Sequence, residues 1–136
     1  MARMIYINLP VADIAATRRF FAKLGFEFNP MFSDEHTAAM VVEENIVVMM
    51  LDRSRFADFV TGEISDASSA TEVLLCLSAE SREEVDTMLA AAFDAGATPW
   101  KDVMDDAPMY GGSFQDLDGH VWEILHMNLA ALHNQS

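Results

Sequence analysis

Apolar and polar positions alternate where the chain begins. In Met4-Ile5-Tyr6-Ile7-Asn8-Leu9 the alternation predicts a strand, with Ile5, Ile7 and Leu9 on one face and Tyr6 and Asn8 on the other. After Pro10 the period changes. Ile14, Thr17, Phe20, Phe21 and Leu24 recur at helical spacing, so one stripe of a helix is apolar. Asp13 is placed to cap its N-terminus, Lys23 suits its last turn, and Gly25 can take the positive φ that stops it. Three short strands are predicted next, at 26–32, 38–42 and 46–51. Pro30 marks the first as an edge or a bend, and Glu43-Glu44-Asn45 turns the chain between the other two.

Residues 52–71 break the pattern. Phe56, Phe59 and Val60 suit a short helical turn, and 65–71 is small and polar without a period. The first pattern then returns. A strand is predicted at 72–78, and Ser81-Arg82-Glu83-Glu84 has capping-box spacing. Val85, Met88, Leu89, Ala92 and Phe93 form a second helical stripe, stopped by Gly96. Strands follow at 98–101, 111–115 and 121–126, with the polar turn Asp116-Leu117-Asp118-Gly119 between the last two. Leu129-Ala130-Ala131-Leu132 reads as a docking turn or a frayed tail.

The repeat is one of organisation, not of residue identity. It predicts an α+β domain spanning 1–136, built from paired βαβββ modules at about 3–51 and 72–127, with a linker at about 52–71. Each module is too small to bury its sheet alone. Side by side, they would make an open, curved eight-stranded sheet or cup-like barrel, with helices outside and a small-molecule cleft within.

Composition narrows the partners. The 136 residues are 51% hydrophobic, enough for a core, and carry a net charge of −14. That charge argues against nucleic acid and anionic membranes as partners. No run reaches the roughly 18 apolar residues of a membrane span, and no secretory signal is present, so a cytoplasmic protein is expected. The single cysteine, Cys76, lies in an apolar run and is expected to be a buried small hydrophobe.

Three stretches in order carry a family resemblance. Ile7-Asn8-Leu9-Pro10-Val11-Ala12-Asp13, Phe20-Phe21-Ala22-Lys23-Leu24-Gly25-Phe26 and Phe114-Gln115-Asp116-Leu117-Asp118-Gly119-His120-Val121-Trp122-Glu123-Ile124 resemble the vicinal oxygen chelate superfamily. That superfamily includes glyoxalase I, bleomycin-binding proteins, extradiol dioxygenases and fosfomycin-modifying enzymes. The resemblance covers roughly residues 3–127 and implies a cup-like barrel and a homodimer. It also implies metal ligands on the first strand of each module and on the last strand of one or both.

Few of those ligand positions are filled. The first-strand position, about seven residues before Asp13, is Tyr6, with Asn8 on the same face. The second module offers Glu72 at its start and Glu123 on its last strand, while Val47, Val48, Met49 and Met50 offer no strong ligand. Glu72 and Glu123 are the candidate metal ligands and catalytic carboxylates, suited to Mg²⁺ or Mn²⁺. His36, His120, His126 and His133 read as surface or structural residues, with His126 the best spare ligand.

Met, Phe and aromatic side chains allow an apolar cavity, with Tyr6, Asn8, Tyr110 and Trp122 as candidate contacts to a ligand or cofactor. Tyr110 belongs to the glycine-containing stretch 105–113, expected to border the cavity. Two readings follow from the resemblance. One is a divalent-metal-dependent lyase or isomerase, in which Glu123 ligates the ion and Glu72 ligates it or moves a proton. The other is a metal-independent protein that binds or sequesters a small molecule without catalysis.

Overall fold

The structure is a computed structural model that describes residues 3–128. The tail segment 129–132 and His133 lie outside the described residues. The chain divides into two compact units, Met1–Ser65 and Asp66–Ser136. The first carries a βαβββ module on an open four-stranded sheet, and the second repeats that plan with one further short strand.

In the first unit β1 (Ile5–Val11) leads into α1 (Ile14–Lys23), then β2 (Glu27–Phe28), β3 (Thr37–Glu43) and β4 (Ile46–Asp52). The sheet order is β1-β4-β3-β2, with β1 parallel to β4 and the other pairs antiparallel. The Asp13 carboxylate accepts from the Ala16 N–H at 3.0 Å and starts α1 where the sequence places its cap. Ile14, Thr17, Phe20 and Phe21 of the helical stripe are buried, and α1 packs on β2, β3 and β4. Phe20 and Phe21 meet edge to face at 4.8 Å. Burying each ring is worth roughly 2–3 kcal/mol.

The strand expected at 26–32 is shorter. Only Glu27–Phe28 pair with β3, and Pro30–Phe32 form a 3₁₀ turn. The Asn29 side-chain oxygen accepts from the Met31 N–H at 2.9 Å, and Pro30 holds a helical φ, so local chemistry overrides strand propensity. After β4, α2 (Arg53–Ala57) is capped by Asp52 and packs on β1 and β4. Phe59 stays 66% exposed beneath the Arg55 guanidinium, rather than anchoring the turn.

In the second unit β5 (Leu74–Ser78) leads into α3 (Arg82–Asp94), then β6 (Thr98–Pro99), β7 (Met104–Asp106), β8 (Met109–Gln115) and β9 (Val121–Met127). The order is β5-β9-β8-β6, with β5 parallel to β9 and β7 also paired to β8. Ser81 caps α3 through the Glu84 N–H at 3.0 Å, and the Glu84 carboxylate reaches back to the Glu80 N–H at 3.1 Å. Val85, Leu89 and Ala92 are buried and α3 packs on β8 and β9, while Phe93 stays exposed. Gly112 lets the sheet pass under Leu89, whose Cδ1 lies 2.4 Å from where a Cβ would stand.

Two boundaries move. β5 begins at Leu74, so Glu72 precedes the strand expected at 72–78. The strand expected at 98–101 is replaced by β6 and β7, which pair with opposite ends of β8. The chain between them is held where the Lys101 N–H donates to Ser113 Oγ at 3.1 Å.

The turn before β9 is built around one carboxylate. Asp116 Oδ1 accepts from the backbone N–H groups of Asp118 (2.9 Å) and His120 (3.0 Å). Its Oδ2 accepts from Trp122 Nε1 at 2.9 Å. Gly119 completes the turn at φ +90°, where a Cβ would strike the backbone of Ser68.

Candidate functional site

Each sheet has a helix-covered face and an open face. In the first unit the helix side takes Leu9, Val11, Met40, Val48 and Met50, all buried. Strand alternation then turns Tyr6 and Asn8 to the open face. Pairing aligns two rows across that face, Tyr6–Val47–Val41 and Asn8–Met49–Ala39. These six residues floor a cavity of about 530 Å³. Met4, Asn29, Phe32 and Glu44 complete its rim. Tyr6 is 57% exposed and Phe32 61% exposed, so both rings are available to a ligand. Asn8 Nδ2 donates to the Tyr6 carbonyl at 3.3 Å, which ties down the amide between the two rows.

The open face of the second unit is more polar. Its central row is Cys76–Glu123–Ser113. A cavity of about 320 Å³ beside it is bordered by these three residues, by Lys101 and Asp102 of the segment between β6 and β7, and by Met104 of β7. Cys76 is exposed rather than buried, because alternation gives the helix side to Leu75 and Leu77. Partial burial raises its thiol pKa first, and the neighbouring Glu123 charge adds to the rise. The thiol is therefore accessible but not activated.

Counting back from the two helix caps makes the modules comparable. Tyr6 matches Leu74, and Asn8 matches Cys76. Their strand partners are Val47, Val121, Met49 and Glu123. These eight open-face positions, four in each unit, hold a single carboxylate. Glu72 lies outside this set, in the segment before β5, and the β5 residue paired with Glu123 is Cys76. Among the described residues, no group of three or more His, Cys, Asp or Glu side chains is placed to hold a metal ion. This donor set does not fit a divalent cation that needs several oxygen or imidazole ligands.

Two other candidates fall on the helix side. Trp122 is 1% exposed in the core, with its indole N–H on Asp116. Tyr110 lies under α3: its hydroxyl donates to Asp86 Oδ1 at 2.5 Å, and the Arg82 guanidinium stacks 4.0 Å from its ring centre. That hydrogen bond raises the Tyr110 pKa. Arg82 also makes a bidentate pair with Asp105 at 3.0 and 2.9 Å, which lowers the Asp105 pKa. This cluster ties β7 and β8 to α3. Burial pushes the Asp116 carboxyl upward, opposed by the nearby His120 and the Trp122 N–H.

The histidines among the described residues have structural partners. His126 Nδ1 lies 3.0 Å from the Ala79 carbonyl, and His36 Nδ1 lies 2.6 Å from Asp52 Oδ2. The backbone N–H of buried His120 is held by Asp116. Sequence reasoning missed Asn29, Phe32 and Glu44 as site residues. The Asn29-Pro30 turn signal was present, but only folding shows that it carries Phe32 to the rim.

Comparison with known proteins agrees with this architecture. Residues 3–43 match the model of the bleomycin resistance protein-like N-terminal family. Comparison with curated proteins gave no match. Among solved structures, the chain is similar to the hypothetical protein SA1046 from S. aureus, with 25% identity, TM-score 0.78, and coverage of 93% of this chain and 95% of that one. A glyoxalase/bleomycin resistance protein/dioxygenase family enzyme from Burkholderia phytofirmans PsJN shows 19% identity and TM-score 0.76, covering 93% of this chain and 100% of that one. The fosfomycin resistance protein FosX from Listeria monocytogenes shows 16% identity and TM-score 0.69, covering 96% and 97%. The chain has the fold of the glyoxalase/bleomycin resistance/dioxygenase superfamily.

Proposed function

We propose that this protein, built on the vicinal oxygen chelate fold, binds a small, largely apolar molecule in its first module without a metal ion. It acts by binding or sequestering rather than by catalysis. One observation carries this reading. The strand positions that face the cavity supply Tyr6, Asn8, Val47 and Met49, an apolar floor with one amide. Apolar surface with a few polar contacts is what a small-molecule site needs. Thioethers adapt to irregular ligands. The lyase or isomerase reading draws on Glu72 and Glu123 together, whereas Glu123 has Cys76 as its β5 partner and Glu72 lies before that strand.

The same reading takes the protein as a cytoplasmic homodimer. Supporting this, among the described residues β1 and β5 each have one edge without a strand partner, near exposed Ile5, Val73 and Leu74. Among the described residues, no helix is long and apolar enough to cross a membrane.

The test uses 1-naphthylmethanol as a neutral aromatic probe, titrated by calorimetry into full-length protein dialysed against EDTA. Binding should persist in EDTA and weaken about tenfold in Tyr6→Ala, which removes an aromatic contact worth roughly 1–1.5 kcal/mol. Binding that appears only after a divalent ion is added would overturn the metal-independent reading.

A further inference from the structure

The charge around the first-module cavity points to the class of ligand it takes. We propose that this cavity selects an aromatic or aliphatic organic cation, an ammonium carried on an apolar body, over neutral and anionic analogues. This rests on the binding reading above and names the ligand class for that same site.

Among the described residues the lining holds one charged side chain, the Glu44 carboxylate, and no Lys, Arg or His. Glu44 sits in the exposed turn joining β3 to β4, at the rim where a charged head stays partly solvated while its body enters the pocket. Two aromatic side chains, Tyr6 on the floor and Phe32 on the rim, line the same cavity and are more than half exposed. A ring face carries negative quadrupole density, so each attracts a cation and repels an anion. One N–H of Asn8 Nδ2 is engaged by the Tyr6 carbonyl, and the amide Oδ1 is an acceptor for a bound ammonium. The net charge of −14 biases approach the same way. Carboxylate, rings and amide acceptor all favour positive charge, while Met4, Val47 and Met49 receive the apolar body. An anion would be placed beside Glu44 with no cation to answer it.

The experiment compares 1-naphthylmethylammonium, 1-naphthylmethanol and 1-naphthoate by calorimetry, in full-length protein with EDTA and low salt. The ammonium should bind at least about tenfold more tightly than the carboxylate, from one partly solvated ion pair and the ring faces. Glu44→Gln, on an exposed turn, should weaken the ammonium about three- to tenfold and leave the alcohol within about twofold. Phe32→Leu should lower the ammonium-to-alcohol preference further. Equal affinity for all three probes, or tightest binding of naphthoate, would overturn the cation assignment and leave the binding reading standing. A preference unchanged by Glu44→Gln would also overturn it. No binding of any probe would overturn both.

Discussion

Asp116 is the most economical place to test how the second module positions Glu123. Its two oxygens receive three N–H groups: two from the turn backbone and one from the Trp122 indole. Asp116 is 7% exposed and Trp122 1% exposed, so water cannot replace a lost partner. In Asp116→Asn one oxygen keeps the two backbone bonds, and an NH₂ then faces Trp122 Nε1, donor to donor. The change loses a charge-assisted bond and strands a buried donor, a cost of about 2–3 kcal/mol. Trp122→Phe costs about 1–3 kcal/mol through lost volume and leaves Asp116 short of one donor. Once the indole N–H is gone, Asp116→Asn no longer sets two donors against each other. The double variant should therefore be about 1–2 kcal/mol more stable than the sum of the single losses requires. Urea unfolding followed by far-UV circular dichroism reads this without depending on tryptophan fluorescence. With a slope of roughly 1.5–2 kcal/mol per M, Asp116→Asn should lower the midpoint by about 1–2 M. A loss below about 0.5 kcal/mol, or strict additivity of the two changes, would refute the shared-carboxylate account.

Other consequences are open to direct measurement. The Asp52 hydrogen bond raises the His36 pKa above 6.5, and the same bond lowers that of Asp52. The His36 contribution to stability is thus complete below about pH 6.5 and lost as pH rises through its folded value; that of Asp52 is complete above about pH 4 and lost on acidification. An NMR titration should give a His36 midpoint above 6.5 that falls toward 6.5 in Asp52→Asn; an unchanged midpoint would refute the pairing. Cys76 should react with iodoacetamide in native protein, slowly at neutral pH, and Glu123→Gln should speed that reaction. Failure to label would place the thiol in the interior. Arg82→Gln should speed hydrogen exchange of the β7 amides relative to β9, because Arg82 holds Asp105 and covers Tyr110. Equal protection in both proteins would show that the cluster does not hold β7.

Local chemistry made most of the fold legible. Asp13 and Ser81 cap their helices where the spacing places them, and apolar stripes ending at Gly25 and Gly96 define both helices. β7 was not legible: Met104-Asp105-Asp106 is exposed and acidic, and it is a strand because β8 supplies the pairing and Arg82 the anchor. Alternation also fixes faces more firmly than residue type does. Leu75 and Leu77 take the core side of β5, so Cys76 is exposed despite its apolar neighbours. Trp122 shows the reverse case. Its type suggested a cavity contact, while its parity with Ile124 and its reach to Asp116 put it in the core. The site was partly legible through Tyr6 and Asn8, whose face follows from the first strand alone. Phe32 and Glu44 were not, since a turn and a cross-strand register bring them to the same rim.

The ten methionines offer the most direct measurement of where a ligand sits. With ¹³C-methyl methionine and EDTA present, adding 1-naphthylmethanol should shift the Met4 and Met49 methyl signals, both at the first-module cavity. Met104 and Met127 of the second module should hold their positions. Shifts confined to Met104 and Met127, or shifts that need a divalent ion, would contradict metal-free binding in the first module.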